Sequence, residues 1–317
     1  MNLYLQTLGY TADIVAPIFF ILFLGYLLRR LKLIDDAFVA TGSKLVFVIT
    51  LPTLVFMSIS RMDFHAVFNP HQLGYVLVAI LLSFGLIWWL AARFIQAPED
   101  LGVFIQGAFR SNYGIIGLAV SFNLFGEAGL AQASLLLALV IPLFNSLSII
   151  CLSVPMRRSD MKLSRTLVEI LKNPLILAVL FALPVSWFGV KLPDVVAKTG
   201  TYFANLTLPL ALLTIGASLN LKSLHDTSAQ AFWATALKLV ILPLVLTFGA
   251  WLYGFDGEAL AILMVLFGCP TAAASFVMAR AMGGNHQLAA NIVLTTTLGS
   301  VLTLSAGIYL LRLIGMI

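Results

Sequence analysis

Ala108-Phe109-Arg110-Ser111-Asn112-Tyr113-Gly114-Ile115-Ile116-Gly117 breaks an apolar run with a polar, glycine-bearing stretch, and Phe267-Gly268-Cys269-Pro270-Thr271-Ala272-Ala273-Ala274-Ser275 breaks another in the second half of the chain. Each run is long enough for a bilayer crossing, which needs about 20 mostly apolar residues. From a start near Leu101, Asn112 lies about 16 Å in at 1.5 Å per helical residue. From a start at the opposite face near Glu258, Pro270 lies about 18 Å in by the same measure. Both breaks therefore fall near the midplane of a hydrocarbon core about 30 Å thick. Proline removes a helical hydrogen bond and glycine eases unwinding, but unwound backbone survives at that depth only inside protein or beside a water-filled cavity. One such break reads equally well as a kink. A matched pair favours a binding site, where half-helix N-termini face an anion and freed carbonyls face a cation.

The composition around these breaks fixes the solvent. Of 317 residues, 61% are apolar or aromatic and 10% are charged, and the mean hydropathy is +1.04. A soluble domain carries about 25% charged residues, so this chain has lipid for its solvent. The net charge of +5 would suggest nucleic acid in a soluble protein, but here it reads as loop charge, and no nucleic-acid partner is expected. Cys151 and Cys269 sit in apolar stretches without metal-ligand spacing, and no metal site is expected. The first apolar run is followed by Arg29, Arg30 and Lys32 with no small-residue cleavage site, so it reads as a retained span.

Ten runs qualify as spans: Ala12–Leu28, Phe38–Ser60, Leu73–Phe94, Leu101–Leu124, Gly129–Val154, Pro174–Val190, Val195–Leu219, Ala229–Tyr253, Glu258–Ala281 and Gln287–Leu313. Basic residues collect in cytoplasmic loops. Loops after odd-numbered spans, counted with the span ends beside them, hold twelve of the 18 Lys and Arg residues, the opposite side holds four, and Arg110 and Lys238 lie deeper within spans. That split places both termini outside and the segment 156–172 in the cytoplasm.

An offset of 157 residues relates Pro17 to Pro174, Pro52 to Pro209 and Gly126 to Gly283, and Thr50-Leu51-Pro52 recurs as Thr207-Leu208-Pro209. The chain thus divides into a first five-helix repeat over 1–155, a linker over 156–172 and a second repeat over 173–317. Five is odd, so the second repeat enters the membrane from the other side. Secondary transporters use such inverted repeats to build one site that opens alternately to either face. The expected fold is an all-α integral membrane protein of ten helices in two inverted repeats, with spans 4 and 9 broken.

Arg110-Ser111-Asn112-Tyr113-Gly114 with Gly117, Leu208-Pro209-Leu210-Ala211-Leu212 with Gly216 and Leu219, and Pro270-Thr271-Ala272 with Gly283-Gly284 together resemble the auxin efflux carrier family over essentially the whole chain. That family includes the plant PIN-formed carriers and bacterial members described as malonate or malate permeases. The resemblance implies that spans 1, 2, 6 and 7 form a scaffold and homodimer surface. Spans 3–5 and 8–10 would form a mobile transport domain whose broken helices cross, with elevator-type motion. It also implies a bacterial inner-membrane protein. The chain departs from the plant carriers in its short basic linker, and Thr271 stands where span 4 suggests an asparagine.

Among the polar residues at depth, Asn112 is the leading substrate ligand, because an amide both donates to a carboxylate and accepts from unwound backbone. Ser111, Tyr113, Gly114, Pro270, Thr271 and Ala272 follow as its neighbours at the crossing. Arg110, about 13 Å into its span, serves either as counter-charge for an anion or as a partner for carbonyls freed by the break. Lys238 reads as a structural or coupling residue, and Asn145 and Asn291 as interhelical bridges. Acidic residues lie near span ends, which disfavours a midplane carboxylate relay; sodium, proton or uncoupled transport all stay open, with no other cofactor expected. The expected function is secondary transport of a small mono- or dicarboxylate. A membrane receptor for such an anion is the alternative, and an intramembrane enzyme is disfavoured because GxSxG, HExxH and Walker A motifs are absent.

Overall fold

The computed structural model describes residues 2–63, 68–156, 173–219 and 228–317. The linker residues 157–172, with Arg157, Arg158, Lys162, Arg165 and Lys172, lie outside the described residues, as do His65, Lys222 and His225. The described residues are helical apart from short connections and one two-residue bridge. In chain order they form α1 (Asn2–Arg30), α2 (Asp36–Arg61), α3 (Pro70–Phe94), α4 (Pro98–Phe109) and α5 (Tyr113–Ser153). Then follow α6 (Pro174–Trp187), α7 (Asp194–Ser218), α8 (Ala229–Leu252), α9 (Gly257–Gly268), α10 (Ala274–Ala281) and α11 (His286–Leu313).

Seven of these, α1, α2, α3, α5, α7, α8 and α11, are long and apolar enough to cross a membrane, and α6 and α9 are shorter apolar helices. At 41 residues, α5 would measure about 62 Å if straight, twice the thickness of a hydrocarbon core. It is not straight: Gly126 takes φ 62° and ψ −144° and turns the chain. Gly283, its counterpart at the 157-residue offset, also takes positive φ, at 75°. An L side chain rarely adopts that region, so both positions call for glycine.

Helix starts are set by side chains that accept from the first turn. Asp35 accepts from the N–H of Phe38, Asn69 from Gln72, Asn173 from Leu175, Ser228 from Ala231 and Asn285 from Leu288. Such caps satisfy donors that a helix start leaves unpaired. Within α2 and α8, single π turns at Val46–Thr50 and Leu237–Ile241 directly precede Leu51-Pro52 and Leu242-Pro243. Proline removes one rung of the helical ladder, and a π turn is a common way for a helix to absorb such a defect.

Packing draws the helices into two groups that also meet where α1 packs on α11 and where α1 and α2 pack on α5. α1 lies along α7, and α2 packs on both α6 and α7. α3, α4, α8, α9 and α11 pack among themselves and with the second part of α5. The closest approach in the first group is glycine on backbone. A Cβ added to Gly25 would stand 2.1 Å from the carbonyl oxygen of Leu213, and one on Gly216 would stand 1.7 Å from that of Leu22. Small residues let membrane helices approach in this way. Gly216→Ala is therefore expected to push α1 and α7 apart at a cost of about 1–3 kcal/mol. The check is a melting curve in detergent beside Gly9→Ala, also on α1, where the new methyl meets nothing within 4 Å. Equal curves for the two variants would overturn this account of the contact.

Candidate functional site

α4 stops at Phe109, where Arg110 turns extended at φ −82° and ψ 108°. α9 stops at Gly268, where Cys269 is also extended, at φ −59° and ψ 144°. Pro270 explains the second stop, since a residue before proline is driven out of the helical region. The two unwound stretches meet side by side as an antiparallel bridge between Ser111 and Thr271. The N–H of Asn112 donates to the carbonyl of Pro270 at 2.7 Å, and the N–H of Ala272 donates to the carbonyl of Arg110 at 3.1 Å. Each break thus supplies what the other lost.

Thr271 completes the seam. Its hydroxyl donates to the carbonyl of Gly107, in the last turn of α4, at 2.6 Å, and its N–H donates to the Thr296 hydroxyl of α11 at 3.1 Å. A hydroxyl therefore serves at the position where an amide was in doubt. Lys238, on α8 and 1% exposed, donates to the carbonyl of Phe267 in the last turn of α9 at 2.6 Å. After the breaks the chain turns helical again. The carbonyl of Asn112 accepts from the N–H of Ile116, and that of Ala272 from the N–H of Ser275.

A cavity of about 420 Å³ opens against this crossing. Arg110, Ser111, Asn112, Tyr113 and Gly114 form one wall, and Ala272, Ala273 and Ala274 continue it. Phe47 and Leu51 of α2, with Asn173, Leu175 and Ile176 at the start of α6, face them across the opening. The cavity lies between the two helix groups. The first residues of both second half-helices border it, and the N–H groups there have no partner within their own helix.

Two side chains give the cavity its chemistry. The Asn112 carboxamide, on a residue 7% exposed, makes no hydrogen bond to the described residues. The Arg110 guanidinium, on a residue 8% exposed, donates to the Asn145 side-chain oxygen at 2.8 Å and lies against the Met278 sulfur at 2.7 Å. Among the described residues the one ion pair is Arg29 with Asp36, so no carboxylate there neutralises Arg110. A buried cation without an anionic partner is costly unless something else supplies the charge.

Of the residues singled out in the sequence, Arg110, Ser111, Asn112, Tyr113, Gly114 and Ala272 line the cavity, and Asn145 joins them through its bond to Arg110. Pro270 and Thr271 lie at the crossing but off the cavity wall, with Thr271 turned into the core. Lys238 stands behind the crossing and Asn291 lies buried on α11, both away from the cavity. Met278, Phe144 and Asn173 line it without having been anticipated. For Met278 and Phe144 the sequence carries no polar signal, and Asn173 reads as a helix cap.

A second cavity, of about 280 Å³, lies further along α2, lined by Leu54, Met57, Ser58 and Arg61. Across from them stand Asn123, Glu127 and Leu130 of α5 and Thr201, Asn205 and Pro209 of α7. Arg61 is tied to α7, donating to the Thr201 hydroxyl at 2.6 Å. Leu51 and Leu54, one helical turn apart, border the two cavities from opposite sides.

The chain matches a family model described as membrane transport protein over residues 11–165 and again over 158–308. It is 23% identical over 297 residues to an "Uncharacterized transporter" of Methanothermobacter thermautotrophicus, covering 93% of this chain and 96% of that protein. It is 25% identical over 306 residues to the "Uncharacterized transporter YfdV" of Escherichia coli K12, covering 94% and 96%. With a protein of Rhizobium meliloti named "Putative malonate transporter" the identity is 27% over 315 residues, covering 94% and 95%. Long apolar helices, paired breaks and a match that takes in both halves lead to one family: the chain belongs to the membrane transport proteins, the group of the auxin efflux carriers.

Proposed function

We propose that this protein is a secondary transporter for a small mono- or dicarboxylate, such as malonate or malate. The observation that carries the reading is the buried Arg110 guanidinium, bordering a cavity of about 420 Å³ beside an unpartnered Asn112 carboxamide. A guanidinium and a carboxylate match as a bidentate pair, and a bound carboxylate would supply the charge that no described residue supplies. The unpaired N–H groups that begin at Tyr113 and Ala273 add positive potential at the same wall. The name of the Rhizobium meliloti relative points to the same class of substrate.

In this reading the chain crosses the bacterial inner membrane ten times, as two inverted repeats of five. The bent α5 counts as two crossings, and α4 and α9 are completed by the half-helices beyond their breaks. Both termini are extracytoplasmic. The group built on α1, α2, α6 and α7 is the scaffold and the surface of a homodimer, and the other group carries the crossing past it as an elevator. The second cavity, further along α2, supports alternating access, since Leu51 borders the cavity at the crossing and Leu54, one turn on, borders the other.

Proteoliposomes loaded with unlabelled malonate and diluted into labelled malonate test this directly. Exchange of label across the bilayer is expected, and it should be suppressed by excess unlabelled malate. A receptor would bind label without moving it, so saturable binding with no exchange would sink the transporter reading.

A further inference from the structure

The wall of the cavity that faces Arg110 and Asn112 is made in part by the start of α6. Its cap leaves donors over. The Asn173 side-chain oxygen accepts from the N–H of Leu175 at 2.9 Å, and the Asn173 carbonyl accepts from the N–H of Leu177 at 3.0 Å. Pro174, the first residue of the helix, has no N–H to satisfy. Between the two capped positions stands Ile176, whose N–H finds no acceptor inside the helix. With its oxygen held by the cap, the Asn173 carboxamide keeps both of its hydrogens for another partner, and it donates to none of the described residues. Asn173 and Ile176 both border the cavity.

A helix start alone attracts any anion weakly. This one shares its cavity with the Asn112 carboxamide, which is buried and unpartnered among the described residues on the opposite wall. The two walls therefore carry separate sets of donors, Arg110 and Asn112 on one and Asn173 and Ile176 on the other. One carboxylate is satisfied by the guanidinium and its neighbouring amide. A second carboxylate on the same molecule, turned to the start of α6, meets an amide and the positive end of a helix dipole. Among the described residues that line the cavity none is acidic, so nothing there repels a second negative charge.

We propose that Asn173, with the first turn of α6, receives the second carboxylate of the substrate, so that the cavity takes dicarboxylates in preference to monocarboxylates of the same carbon number. The inference rests on the reading of Arg110 and Asn112 as a carboxylate site. It gives Asn173 two tasks, capping through its oxygen and binding through its nitrogen, and substitution separates them.

The test is calorimetric titration of the purified full-length protein in detergent with acids paired by carbon number, malonate with propionate and succinate with butyrate. Wild type is expected to bind the dicarboxylate of at least one pair about 10-fold or more tightly, as a hydrogen bond to a charged group allows. Asn173→Asp keeps an oxygen to cap α6, removes the amide donors and sets a negative charge against the second carboxylate. It should melt close to wild type, weaken that dicarboxylate more than 10-fold and shift the matching monocarboxylate far less. Asn173→Gly, a tolerated cap with no side chain, should weaken the dicarboxylate about 10-fold and covers the case in which the aspartate variant does not fold. Arg110→Met should lose both members of each pair. Equal affinity within both pairs in wild type, or unchanged dicarboxylate affinity in the Asn173 variants, overturns the proposal and leaves the carboxylate site standing. So does an equal loss of both members of a pair. A wild type that binds none of the four acids overturns the carboxylate reading itself, and this inference falls with it.

Discussion

Asn112→Ala is expected to cut malonate uptake into proteoliposomes at least about 10-fold while the protein melts within a few degrees of wild type. The carboxamide bonds to no described residue, so its removal leaves no partner stranded in the chain. What it does lose is a donor to the anion. A hydrogen bond to a charged group is worth about 1.5–3 kcal/mol, or a factor of about 10 to 150 in affinity. Asn112→Asp sharpens the test. Aspartate is closer to asparagine in shape than alanine is, so a merely structural role predicts that it is the milder change. As a ligand for an anion it is the worse one, because it sets a negative charge against the substrate. Uptake by the Asp variant above that of the Ala variant would remove Asn112 from the site.

Arg110→Met should separate function from stability in the opposite direction. Truncating one partner of a desolvated charge pair typically costs about 2–5 kcal/mol of binding, so uptake should fall about 30-fold or more. The empty protein should be no less stable, and its melting temperature is expected to hold or rise. Methionine fills similar space without the charge, and an uncompensated buried ion is a net burden on the fold. Arg110→Lys keeps the charge but not the planar fork, and should transport between the two. The measurements are initial uptake rates over a range of malonate concentrations, paired with melting curves of the same preparations. A large fall in melting temperature with normal uptake would recast Arg110 as a brace for the crossing, held there by Asn145.

Much of the crossing was legible because lipid makes polarity informative. In a hydrocarbon core a stretch such as Arg110 to Gly114, or a proline such as Pro270, has few physical excuses, and depth follows from counting residues. That logic finds Arg110 and Asn112, which border the cavity. It could not find which side of the seam each neighbour faces. Thr271 and Ala272 are adjacent, yet one points into the core and the other borders the cavity, because an extended backbone alternates its side chains. Nor could it find Met278, an apolar residue in an apolar helix, or assign Lys238, whose partner is a backbone carbonyl and so leaves no mark in the sequence. The bend at Gly126 was marked only by its pairing with Gly283. The close contact of α1 with α7 rests on Gly25 and Gly216, two among 23 glycines in the chain.

The two hydrogen bonds that stitch Asn112 to Pro270 and Ala272 to Arg110 run between halves of the chain and not within them. In lipid an unmet backbone group is severely penalised, so neither half could hold its own break open alone. On the proposed reading of the halves as inverted repeats, a forerunner made of a single half would have needed a second copy, inserted upside down, to close its backbone. Joining the copies in one polypeptide would then have released each break from serving both copies alike, and this chain shows the result: an arginine and an asparagine on one strand of the seam, a proline and a threonine on the other.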